Sequence, residues 1–127
     1  MRCAEILLGE RMHAFGVTLR SEQDIGPDRL VEFLHALTNA IGMTAVGDHA
    51  LWTYPLHGKG GNGRTIVLPI TDSFLALDTW PDHRGAYLFI CSCKPFDQFI
   101  VDRTARGFDM SVEHGEGRQF YAELNLK

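Results

Sequence analysis

The chain is short of several things, and each shortage excludes a class. It has 3 cysteines in 127 residues, an odd number and too few for the disulfide framework of a small secreted domain. A reducing, cytoplasmic setting is the expectation. No apolar run approaches the ~18 residues that span a bilayer, so no membrane segment is expected. Met1–Met12 offers only a short apolar patch interrupted by Glu5, too little for a secretory leader. Basic side chains are outnumbered 12 to 16 and the net charge is −4, whereas a general nucleic-acid binder is normally basic. No repeat, linker or low-complexity run breaks the chain. What is present is ordinary globular composition, 45% hydrophobic and 22% charged. One domain over residues 1–127 follows, able to bury roughly two thirds of its unfolded surface.

Hydrophobic spacing predicts the elements. His13–Leu19 alternates, with Phe15, Val17 and Leu19 on one face, and reads as a strand. Pro27 suits the first position of a helix and Asp28 its first turn. Leu30, Phe33, Leu34, Leu37 and Ile41 follow at helical spacing, and Gly42 is the expected stop. Met43–Tyr54 carries a second strand, and the glycine-rich stretch Pro55–Arg64 reads as a loop. Thr65–Ile70 and Ser73–Thr79 are strands, and Trp80–Gly85 is a turn. Ala86–Cys93 is nearly all apolar and is expected to be a buried central strand. A second helix is expected from Pro95 to near Gly107, with Phe96, Phe99 and Ile100 inward. Phe108–Glu113 and Gln119–Leu126 look like a closing hairpin about His114–Gly117. The order β-α-β-β-β-β-α-β-β points to an α+β two-layer sandwich, a mainly antiparallel sheet with two helices on one face.

Two motifs fail on chemistry. Gly58-Lys59-Gly60-Gly61-Asn62-Gly63-Arg64-Thr65 nearly spells a P-loop. However, Arg64 replaces the lysine, and a strand follows where a helix N-terminus must hold the phosphates. Cys91, Cys93 and His83 offer three metal ligands where structural zinc wants four, so no metal is expected. Taken singly, Ser73 is a strand-start serine, Cys93 a buried thiol, Thr65 a β former and Asp78 and Asp82 solvated carboxylates. Trp52 and Tyr54 are core or rim aromatics.

Taken together, the stretch from Thr71 to Cys93 says more. Asp72-Ser73 precedes a strand, Thr79-Trp80-Pro81-Asp82 follows it, and an apolar strand then ends at Cys93. This resembles the short prokaryotic S-adenosylmethionine decarboxylases. Those carry an acidic residue and a serine, a strand, His-Thr-Trp-Pro-Glu, and a second strand ending in a catalytic cysteine. The resemblance runs from about His13 to about His114. It implies a pyruvoyl cofactor made by self-cleavage at Asp72–Ser73. The Ser73 hydroxyl attacks the preceding carbonyl, and elimination then frees a β chain of residues 1–72 and an α chain of residues 73–127. The pyruvoyl carbonyl would form a Schiff base with the substrate amine and accept electrons as CO2 leaves, the work pyridoxal phosphate does elsewhere.

The resemblance also assigns roles. Cys93 matches the proton donor, with Cys91 as its neighbour on the same alternating face. Asp82 stands where a glutamate binds ribose hydroxyls. Thr65 stands where a processing serine does, and Trp52 or Tyr54 would stack the adenine. A homodimer with sites near the interface is implied, and the activity would serve polyamine (spermidine) synthesis. One departure is chemical: Asp78 replaces a histidine that assists processing, and an unperturbed carboxylate is a far weaker base than imidazole near neutral pH. Asp78 opens two other readings. The same machinery would act on a basic amino acid such as ornithine or arginine, or an unprocessed paralogue would bind a ligand or partner without turnover.

Overall fold

The computed structural model describes residues 11–55, 62–71, 73–80 and 84–125. The elements are β1 (Arg11–Ser21), α1 (Pro27–Ala40), β2 (Ala50–Pro55), β3 (Asn62–Ile70), β4 (Ser73–Trp80), β5 (Gly85–Ser92), α2 (Gln98–Arg106), β6 (Met110–Val112) and β7 (Gln119–Asn125). The strands form one antiparallel sheet in the order β2-β3-β4-β5-β1, with both β6 and β7 on the far side of β1.

Alternation along each strand separates two faces. Phe15, Val17 and Leu19 of β1, Ile66, Leu68 and Ile70 of β3, Leu75 and Leu77 of β4, and Leu88 and Ile90 of β5 all point to one side. There they form one buried cluster with Leu30, Phe33, Leu34 and Leu37 of α1 and Val101 and Ala105 of α2. The two-layer α+β architecture is thus as expected, with both helices on one face.

The local signals explain the helices. Pro27 occupies the first position of α1, where its missing N–H costs nothing, and Asp28 lies in the first turn. Gly42 adopts φ +78 just past the end, a left-handed conformation that side chains resist. The second helix starts three residues later than Pro95. Asp97 stays extended, and its carboxylate accepts the Phe99 N–H at 2.9 Å, capping the helix at Gln98. Phe99 is consequently turned outward, 78% exposed, rather than inward.

Three further expectations are corrected. The third strand begins at Asn62, so residues 62–64 belong to the sheet and not to a loop. The central strand β5 is buried on one face only, since Tyr87 and Phe89 stand exposed on the other. The last two strands are not a hairpin. Met110–Val112 pairs with Leu19–Ser21, and Gln119–Asn125 pairs with Arg11–Val17. They are two halves of one strand along β1, which is long enough to hold both. The break falls at Thr18, whose carbonyl accepts the Glu113 N–H and whose N–H donates to the Arg118 carbonyl, both at 2.9 Å. The residues between are looped out without leaving Thr18 unpaired.

Candidate functional site

The face away from the helices carries the reactive side chains of β2, β3 and β4. Cross-strand pairing sets Trp52 opposite Thr65, Thr65 opposite Asp78, and Asp78 opposite Tyr87. These four residues form one row across four strands. Neighbours in such a row have Cβ atoms about 5 Å apart. The Thr65 hydroxyl donates to Asp78 Oδ1. Tyr54 Oη lies 3.2 Å from Thr65 Oγ1. Thr65 has one hydroxyl proton, already given to Asp78, so Tyr54 is the donor to Thr65. The result is a directional chain, Tyr54 to Thr65 to Asp78, ending on a carboxylate.

Ser73 lies at the other end of β4. It pairs with Ile70, and its position in the alternation puts it with Leu75 and Leu77 on the helix side. Its Oγ is buried and has no hydrogen-bond partner. Phe74 is opposite Cys91, so one more step of the register brings Ser73 beside Ser92, next to Cys93. Cys93 is 3% exposed, packs in the core just past the end of β5, and is disulfide-bonded. Because β5 stops at Ser92, the two cysteines do not share a face. Cys91 is half-buried on the open side, where desolvation pushes its thiol up from its ordinary value.

The structure therefore brings Thr65, Asp78, Tyr54 and Trp52 together at one place and Ser73 with Cys93 at another. Asp78 is five residues from Ser73 along one strand and on the opposite face. At about 3.3 Å per residue the two are ~16 Å apart. Asp72, Asp82 and His83 lie outside the described residues. Tyr87 is the member of the row that sequence reasoning missed. Its signal was present, since it shares the alternation of Phe89 and Cys91 on the open side, but the nearly continuous apolar run masked that alternation.

Next to Tyr87 the open face holds a cleft of ~340 Å³ lined by Gly16, Thr18, Tyr87, Phe89, Arg118 and Phe120, among others. The Phe120 ring lies directly on Gly16, where an added Cβ would meet it at 2.2 Å. Glycine at that position is what lets the ring close the cleft. Phe74, Phe89, Phe120 and Leu124 extend an exposed apolar surface from here toward the Ser73 end.

No family model matches the chain, and no curated protein does. Among solved structures, the fold is similar to that of the adenosylmethionine decarboxylase from Aquifex aeolicus, with a TM-score of 0.52 over 94% of this chain and 93% of that one, at 14% identity. The chain thus has the fold of that enzyme.

Proposed function

We propose that the chain is a pyruvoyl-dependent decarboxylase of the adenosylmethionine type, processed at Asp72–Ser73 and active as a homodimer. The observation that carries the reading is the buried, unpaired hydroxyl of Ser73 at the first residue of a strand, one step from Cys93. An unpaired buried hydroxyl costs about 1–3 kcal/mol, so a fold that keeps one there favours its use. The likeness of fold and the Thr79-Trp80-Pro81 core support the same reading.

The residues present fit a cofactor made from Ser73. Its Oγ is not committed to holding the strand, and the chain after it is anchored by pairing along β4. In processing, Ser73 Oγ attacks the carbonyl carbon of residue 72. A C–O bond forms, the C–N bond breaks, and the hydroxyl proton passes to the released amine. Loss of the Ser73 α-proton then expels the residue 72 carboxylate, and water replaces the nitrogen, which leaves as ammonia. The finished group supplies an electron-withdrawing carbonyl beside the substrate amine. Cys93, once reduced, would deliver a proton where CO2 departs, and Asp82 keeps the ribose-binding role.

The ~16 Å between Ser73 and Asp78 supports the homodimer reading. Within one chain they cannot meet. A second copy would have to present its Thr65 and Asp78 at the Ser73 end of the sheet, where the strand begins. Exposed Phe74 and Leu124, toward that end and outside the cleft, are the natural contact.

Intact mass spectrometry under denaturing conditions tests this. We expect two fragments meeting at residues 72 and 73, the second beginning with a ketone, and one uncut chain of 14.2 kDa for Ser73→Ala. An uncut wild-type chain, even with reductant and candidate substrates, would instead leave a non-catalytic binding protein.

A further inference from the structure

We infer that the row Trp52–Thr65–Asp78–Tyr87 is a recognition site for an organic cation. Asp78 supplies the negative charge, and no described residue forms an ion pair with it. Thr65 holds one carboxylate oxygen and is itself held by Tyr54, so the carboxylate is oriented before a ligand arrives. Around it stand aromatic rings from two strands. Trp52 is 53% exposed, Tyr87 46% and Tyr54 37%. A carboxylate among open aromatic faces is the arrangement that attracts alkylated ammonium, guanidinium or sulfonium groups, through charge and the negative face of each ring. The adjoining cleft at Tyr87, Phe89 and Phe120 accepts the apolar body attached to that charge.

This turns the loss of a histidine into a gain. A carboxylate in place of an imidazole gives up proton transfer near neutral pH but anchors the charged end of a substrate. As a substrate site the row rests on the decarboxylase reading. As a binding site it does not.

The test uses the full-length Ser73→Ala chain, which cannot process, so binding is read independently of any catalysis. Calorimetric titration with n-butylammonium, n-butylguanidinium and a trialkylsulfonium is set against n-butanol, the neutral isostere. The cations are expected to bind at millimolar concentration and the alcohol not at all. Asp78→Asn should weaken the cations at least about tenfold, with Asp78→Glu restoring part of the loss and both variants melting within a few degrees of the parent. The ranking of the three cations names the charged group of the substrate. Equal binding of alcohol and cation, or undiminished binding by Asp78→Asn, overturns the inference. If Ser73→Ala binds cations while the wild-type chain is never cut, the cation site stands and the decarboxylase reading falls.

Discussion

At the scale of single residues, pairing of charges explains more than their number. Asp102 shows this. Its carboxylate is held below the ordinary range, first by the hydrogen bond from Arg106 at 2.9 Å, and also by the Val112 N–H at 3.2 Å. It thus ties α2 to the end of β6, beside the break in the strand. A carboxyl lowered by folding contributes stability that is full above its unfolded value near pH 4 and is lost as pH falls through the lower folded value. Asp102→Asn should therefore cost about 1 kcal/mol at neutral pH, or about 4 °C in melting temperature. The difference from wild type should shrink in acid, as melting curves from pH 7 down to pH 2 would show. A constant gap across that range would mean that packing, not ionisation, is responsible. Cys93 belongs to the same scale. Because it is disulfide-bonded, the proposed decarboxylation should rise when a reductant is added and disappear in Cys93→Ala, measured as released CO2.

At the scale of elements, both helices are amphipathic in sequence, yet they bury very different amounts. Phe33 of α1 is fully buried, whereas Phe99 of α2 is mostly in solvent. Phe33→Ala should cost about 3–5 kcal/mol by chemical denaturation, and Phe99→Ala within about 0.5 kcal/mol of zero. A large loss at Phe99 would mean that its ring is covered by something other than the described residues. The sheet also bears on processing. Seven residue pairs join β3 to β4 across the proposed cut. The two fragments should therefore elute together under native conditions and separate only in denaturant.

At the scale of the whole molecule, the described residues cover the sheet on one side only. Large apolar side chains remain on the other, and such a surface asks for a partner. Leu124, toward the Ser73 end and outside the cleft, is 57% exposed, so its replacement costs little in the folded chain. Leu124→Lys should convert the proposed dimer to a monomer by light scattering and leave the far-ultraviolet dichroism unchanged. If self-cleavage uses a second copy, the same variant should also slow it. A dimer that survives the added charge would place the interface elsewhere.

Much of this was legible in the residues themselves. Helix α1 could be read from Pro27, the spacing of Leu30 to Leu37, and Gly42, because local backbone preferences and a single buried stripe agree there. Strand β4 could be read from its alternation for the same reason. Local order could not show that residues 110–112 and 119–125 share one partner, since that depends on the length of β1, a hundred residues earlier. It could not show that α2 waits for the Asp97 cap, or that Tyr87 and Phe89 face outward. It put Thr65, Asp78, Ser73 and Cys93 in one functional group through likeness. Only the sheet revealed that they fall into two clusters on opposite faces. The physical reason is pairing register: which side chains meet is decided by partners distant in sequence, while the period along each strand is decided within it.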